Sequence, residues 1–215
     1  MEKINKLHEI RREYEKSSLD EQMMDENPMR EFRVWLSSAI ELIKDDATAM
    51  VLSTVSIDGR PSSRIVLLKD VNEVGLTFFS NYKSRKGQEI DENTFASLLF
   101  YWKEQERQIR IEGMISRTNP AISDEYFNGR PYDSQIAAIS SQQGQPVKDR
   151  SVLETSFEQI KAETMGKSLK RPEHWGGYLL KPDSFEFWQG RPNRLHDRIV
   201  YKLNGAEWER SRLSP

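Results

Sequence analysis

The feature that most limits the fold is a series of short β-rich runs, each closed by a turn signal. Residues 47–56 and 62–68 flank Asp58-Gly59, a hairpin dipeptide. Runs at 76–80, 95–102 and 107–116 continue the series, followed by 178–181, 184–189 and 194–203. Asn204-Gly205 reads as a type I′ turn into a last strand at 207–212. Strands this short and numerous pair antiparallel, and curling them into a barrel removes open edges. The expected fold class is mainly β, a barrel with α-helices packed around it.

The helices have their own signals. Ile4, Leu7, Ile10 and Tyr14 recur at helical spacing and predict an amphipathic helix over 3–16. Residues 15–27 are polar and read as a mobile segment. Asn27-Pro28 is a cap followed by Pro at the first helical position, and Phe32, Trp35, Leu36, Ile40 and Ile43 form an apolar stripe behind it. A short helix is expected at 85–92, another from Asn119-Pro120 to Asn128-Gly129, and a longer one over 149–165 with Gly166 as its stop. No repeat or low-complexity stretch divides the chain. The expected organisation is an N-terminal helix and mobile segment, 1–27, then a single domain, 28–215.

Composition excludes several classes. With 32 basic and 34 acidic residues the net charge is −2, so nothing pulls the chain toward nucleic acid or an anionic membrane. There is no Cys, which removes disulfides, thiolate catalysis and Cys-based metal sites. His8, His174 and His196 form no close ligand pair, so no metal site is expected. The charged start, Met1-Glu2-Lys3, lacks a signal core, and no run nears the roughly 20 apolar residues of a membrane span. A cytoplasmic protein is expected. Neither a Gly-x-Gly-x-x-Gly turn nor a P-loop occurs, since position 161 is Lys where the P-loop needs Gly.

A phosphorylated ligand would therefore be held by side chains and helix ends. Asn81-Tyr82-Lys83-Ser84-Arg85-Lys86 offers such a place, because Ser84 can cap a helix whose first N–H groups and positive end face an anion. The strand 64–69 carries a cation at each end, and strict alternation puts Arg64 and Lys69 on opposite faces. Both serve one site only if the strand bends or the site wraps its end. Tyr126, Arg130 and Ser134 are spaced by four and share a face if one helix is continuous through Gly129 and Pro131. Near the C-terminus, a strand from 194 would put Arg194, His196 and Arg198 on one face, an anion-recognising row with a titratable centre. Trp188 could cover that row as a flat wall. If Arg64, Lys69, Arg85, Lys86, Arg130, Arg194 and Arg198 converge, a cationic cleft sits in an otherwise acidic protein.

Trp188-Gln189-Gly190, then Arg194-Leu195-His196-Asp197-Arg198, then the terminal Arg212-Leu213-Ser214-Pro215, resembles the pyridoxine/pyridoxamine 5′-phosphate oxidases. The likeness runs from about Arg11 to the C-terminus. It implies an FMN-binding split β-barrel with surrounding helices, homodimeric, with sites at the subunit interface. It implies FMN contacts from Arg64, Ile65, Val66, Leu67, Leu68, Lys69, Phe79, Ser80, Arg85, Lys86, Gln108, Gln143, Gly144, Trp188 and Arg198. Gly144 stands where the family usually has Ser, which removes a hydroxyl. It implies substrate contacts from Arg11, Tyr14, Lys69, Tyr126, Arg130, Ser134, Arg194, Leu195 and His196, with Arg194 and His196 catalytic.

The activity so implied is oxidation of pyridoxine or pyridoxamine 5′-phosphate to pyridoxal 5′-phosphate, with O2 reduced to hydrogen peroxide. Two other readings remain open: a flavin reductase or non-oxidase flavin protein of the same barrel, and a pyridoxal phosphate carrier. The first would keep the Ser84–Lys86 site without needing Tyr126, Arg130, Arg194 and His196 together; the second would not bind flavin tightly.

Overall fold

The structure, a computed structural model, describes residues 12–215. It contains five α-helices and nine strands among those residues. In chain order they are α1 (Pro28–Ile43), β1 (Ala49–Val55), β2 (Pro61–Leu67), β3 (Asp70–Val71), β4 (Leu76–Asn81), α2 (Arg85–Glu92), β5 (Phe95–Trp102), β6 (Arg107–Arg117), α3 (Pro120–Asn128), α4 (Tyr132–Ser140), α5 (Arg150–Thr164), β7 (Trp175–Gln189), β8 (Asp197–Asn204) and β9 (Glu207–Leu213). The strands pair in the order β2-β1-β5-β6-β7-β4-β3, with β8 on β7 and β9 on β8. The described residues form two compact units. One comprises 12–48, Leu99–Ile111 and Asp183–Pro215; the other comprises Ala49–Leu98 and Glu112–Pro182. Each joins segments distant in sequence, so no linker marks the division.

In the first unit, Asn27 caps α1 by accepting the Met29 N–H at 2.9 Å, and Pro28 starts it. The buried face is Phe32, Trp35 and Ala39, while Ile40, expected on the stripe, is exposed. Phe32 packs on Phe100 and Trp35 on Phe187, with ring centroids 5.2 and 5.1 Å apart. Tyr201, fully buried, donates its hydroxyl to the Asp25 carbonyl at 2.8 Å. In the second unit, β1 and β2 form the expected hairpin, in register from Ala49↔Leu67 to Val55↔Pro61, with Gly59 at φ +80 in the turn. A separate apolar cluster of Phe127, Ile136, Ala138, Leu169 and Trp175 seats α3, α4 and α5. A fully buried side chain of Phe127's type contributes roughly 1.5–3 kcal/mol.

Several expectations are corrected. Residues 12–16 are not helical; 3–11 lie outside the described residues. The N–H groups of Glu15 and Lys16 donate to the Glu106 carboxylate, where a helix would use them on its own carbonyls. Within 15–27, Leu19 N–H donates to Asp197, and the turn Glu21–Met23 is capped by Asp20. α4 is additional; its start at Pro131 carries no side-chain cap. The expected strands 178–181 and 184–189 are one strand, β7, continuous through Pro182. The strand expected from 194 begins at Asp197. Pro192–Arg194 is instead a 3₁₀ turn, with Asn193 at φ 56 and Arg194 at φ 62, left-handed values no strand accepts. The row of Arg194, His196 and Arg198 on one strand face therefore does not form. β8 and β9 pair Asn204↔Glu207, so Gly205 and Ala206 are the loop; only Gly205 has positive φ, the type II′ pattern and not type I′.

Candidate active site

The second unit holds a cavity of about 540 Å³. β2 lines it with Arg64, Ile65, Val66 and Leu67. The strand ends at Leu67, Leu68 turns into the core, and the Lys69 N–H donates to the Thr77 carbonyl at 2.8 Å. That break in alternation lets Arg64 and Lys69 line the same cavity, which answers the question the sequence left open. Phe79, Ser80 and Asn81 come from β4, Lys86 from α2, and Tyr126, Arg130, Pro131 and Ser134 from the α3–α4 region; Gln143 and Trp175 complete the wall. Among the described residues, four cations line the cavity and no carboxylate does.

The electrostatics follow from the second row of contacts. Arg64 donates to the Leu52 carbonyl at 3.1 Å, to Thr54 Oγ1 at 2.6 Å, to Ser62 Oγ, and to Glu89 Oε2 at 3.2 Å. Burial alone would raise the Glu89 pKa. Hydrogen bonds from Ser62, Thr54 and Arg85 outweigh it and hold the carboxyl at about 2. Ser84 caps α2, and Lys86 Nζ reaches Ser84 Oγ at 3.1 Å and Gln143 Oε1 at 2.8 Å. Burial, then the neighbouring charge of Arg64, pushes the Lys86 ammonium below its usual range. Arg85 does not line the cavity; its Nε donates to Glu89 Oε1 at 2.8 Å. Gly144 is also outside the wall. Its φ of +90 is one a Ser would adopt only under strain, which accounts for glycine there.

Phe79, Tyr126 and Trp175 lie nearly parallel. The Phe79–Tyr126 centroids are 3.8 Å apart at 11°, and Tyr126–Trp175 are 6.2 Å apart at 8°. The Arg130 guanidinium sits 4.6 Å above the Trp175 ring. Its Nη1 is buried and has no hydrogen-bond partner among the described residues. Helix α3 ends at Asn128 and α4 begins at Tyr132, so Tyr126, Arg130 and Ser134 are not on one continuous helix, yet all three line the cavity. A buried charged donor left unpaired is costly, and an anionic oxygen in the cavity would meet it.

The first unit has its own pocket of about 490 Å³, lined by Arg12, Glu13, Tyr14, Arg191, Asn193, Arg194 and His196. His196 Nδ1 accepts the Arg191 N–H at 3.1 Å, so the neutral ring carries its proton on Nε2. Burial, then the Arg194 charge, lowers the His196 pKa, against a smaller pull from Asp197. Trp188 meets His196 with centroids 4.8 Å apart. Leu195 is exposed and lines neither pocket. Arg198 is held by Glu186, at 2.9 and 3.1 Å, and by the Ser214 carbonyl. Gln108 is half-buried on β6 and lines neither pocket. Arg11 lies outside the described residues.

Sequence reasoning missed Pro131 and Trp175 in one pocket and Arg191 and Asn193 in the other. Asn81 opens the 81–86 stretch that it singled out for a phosphate, and Arg12 and Glu13 lie between Arg11 and Tyr14, which it gave to the substrate. Among the described residues no His, Asp and Glu group is placed to hold a metal ion, and no helix is long and apolar enough to cross a membrane.

Fold and cavity define a β-barrel protein equipped for an anionic ligand. Residues 36–163 match the family model described as pyridoxamine 5′-phosphate oxidase, and 175–215 match the pyridoxine 5′-phosphate oxidase C-terminal dimerisation region. The chain belongs to the pyridoxamine 5′-phosphate oxidase family, and its fold is the split β-barrel of that family. It is 47% identical over 209 residues to a pyridoxine/pyridoxamine 5′-phosphate oxidase of Cyanothece sp., covering 97% of this chain and 98% of that one. It is 50% identical over 213 residues to that of Cytophaga hutchinsonii, covering 97% and 98%. Among solved structures it resembles PhzG from Burkholderia lata 383, seen with tetrahydrophenazine-1-carboxylic acid, at TM-score 0.87 and 30% identity, covering 93% and 98%.

Proposed function

We propose that this protein is a flavin-dependent oxidase that converts pyridoxine 5′-phosphate or pyridoxamine 5′-phosphate to pyridoxal 5′-phosphate, with FMN as its flavin, in the cytoplasm. The observation that carries the reading is the cavity lined by Arg64, Lys69, Lys86 and Arg130, with no carboxylate among its described lining residues. Its donor set suits two phosphorylated ligands. The enzyme is a homodimer through its C-terminal region.

In this reading Lys86 and Arg64 hold the FMN phosphate, beside the capped start of α2. Residues 65–69, Phe79, Ser80, Gln143 and Gly144 serve the flavin, as do Gln108, Trp188 and Arg198 of the first unit. Arg85 acts by holding Glu89. The unpaired Nη1 of Arg130 takes the substrate phosphate, with hydroxyls from Tyr126 and Ser134. Arg11, Tyr14, Lys69, Arg194, Leu195 and His196 serve the rest of the substrate.

A bound flavin would supply the two-electron redox chemistry that oxidation of the hydroxyl- or amine-bearing carbon needs, with O2 as final acceptor and hydrogen peroxide as its product. The chain binds, orients and handles protons. His196 is neutral near neutrality and presents its proton on Nε2. Arg194, on an exposed turn beside it, supplies a fixed positive charge.

Titrating apoprotein with FMN, followed by flavin fluorescence quenching, tests the cofactor assignment. Lys86→Ala should bind FMN more weakly by about 1.5–3 kcal/mol, the worth of a charge-assisted bond. Equal affinity in parent and variant would remove Lys86 from the cofactor site.

A further inference from the structure

Glu106 has no part in the chemistry above, yet the fold strains to keep it. It lies in the turn between β5 and β6 at φ +56, a conformation that Gly or Asn takes far more easily than Glu. It is also buried, at 3% exposure. A buried carboxylate in a left-handed turn is two unfavourable choices at one position, so its partners should explain it.

Among the described residues, the carboxylate's partners all lie on one short segment. Glu106 Oε1 accepts from Arg12 Nη2 at 3.0 Å. Oε2 accepts from the backbone N–H groups of Glu15 at 2.9 Å and Lys16 at 3.1 Å. The Glu106 carbonyl meanwhile accepts the Gly190 N–H at 2.8 Å and Gln189 Nε2 at 3.2 Å. One residue thus ties residues 12–16 to the end of β7.

Between the clasped residues sits Tyr14. Its ring meets Trp188 and His196 edge-on, each with centroids 5.6 Å apart. A β-carbon on Gly190 would come within 2.6 Å of that ring, so Gly190 is the seat on which Tyr14 rests. Arg12 and Tyr14 then line the pocket of Arg194 and His196.

We propose that Glu106 is a positioning residue for the oxidase reaction: its carboxylate clasps residues 12–16 so that Arg12 and Tyr14 stand as one wall of the substrate pocket. It never touches substrate. The proposal rests on the assignment of this pocket to substrate made above.

The test compares Glu106→Gln and Glu106→Gly with the parent, each as the full-length, FMN-loaded protein. Glu106→Gln keeps the shape and loses the charge; Glu106→Gly loses the clasp but relieves the turn. Both should load FMN as the parent does. Both should raise KM for pyridoxine 5′-phosphate at least about tenfold while kcat stays within about twofold, a split that marks lost binding and not lost chemistry. Without substrate, trypsin should cut after Lys16 faster in both variants than in the parent. An unchanged KM in both variants overturns the proposal, and so does a raised KM with unchanged cleavage. Loss of flavin from both variants overturns it too, since the residue is then merely structural. If the parent itself fails to oxidise pyridoxine 5′-phosphate, the reading of the site has failed, and the cleavage rates alone decide whether the clasp exists.

Discussion

Arg130 and His196 show how single side chains declare their task. Nη1 of Arg130 is buried without a partner among the described residues while the guanidinium rests on Trp175, so the group is held in place with a donor unspent. Arg130→Ala should therefore raise KM for pyridoxine 5′-phosphate roughly ten- to hundredfold, from the loss of about 1.5–3 kcal/mol. Flavin content should not change. Steady-state kinetics on the loaded variant would decide, and an unchanged KM would remove the phosphate from Arg130. For His196, burial and the Arg194 charge lower the pKa from the ordinary 6.5, so the neutral ring prevails at neutrality and protonation is confined to pH below that value. Catalytic efficiency should then fall only on the acid side of 6.5, and His196→Asn should flatten that limb of the pH profile. In the sequence, Tyr126, Arg130 and Ser134 share a face only if one helix runs through Gly129 and Pro131, and it does not. Nothing local says that Trp175, 45 positions from Arg130, will stack under Tyr126 and Arg130.

At the scale of elements, what was legible is what local chemistry decides. The α2 bounds, the β1–β2 hairpin and the α1 start follow from Ser84, Asp58-Gly59 and Asn27-Pro28, each of which acts within a few residues. The expected strand at Arg194 failed because the Pro192–Arg194 turn takes left-handed backbone, which a period-two pattern does not reveal. The strap at 12–16 failed as a helix because its N–H groups go to Glu106, about 90 positions on. Glu89 shows the same long-range logic within α2. It accepts from Ser62, Thr54, Arg64 and Arg85, and so fixes the β1–β2 hairpin to the helix that starts the phosphate site. Its folded pKa, about 2, lies below the ordinary 4.5. The carboxylate thus stabilises the fold above pH 4.5, and that stability drains away as pH falls from 4.5 toward 2. Glu89→Gln should cost about 2–3 kcal/mol at neutral pH, because Arg64 stays half-buried without its counter-charge. Urea unfolding of parent and variant would show it, and equal midpoints at pH 7 would contradict it.

Across the whole molecule, two units each present a pocket with a distinct chemistry. One gathers four cations around a stack of aromatic rings. The other places a neutral imidazole beside an arginine under a clasped strap. Family membership was legible because Trp188–Gly190 and 194–198 are read as strings, whatever their backbone does. The division into two units was not, because β5 and β6 read as uninterrupted runs across two of its boundaries. The central claim is that this assembly oxidises a phosphorylated pyridoxine through a bound flavin. The most direct test mixes the FMN-loaded dimer with pyridoxine 5′-phosphate in an anaerobic stopped-flow instrument. The account predicts that the flavin absorbance bleaches, that pyridoxal 5′-phosphate forms in equal amount, and that admitting O2 restores the oxidised spectrum. A flavin that binds and stays oxidised at every substrate concentration would contradict it.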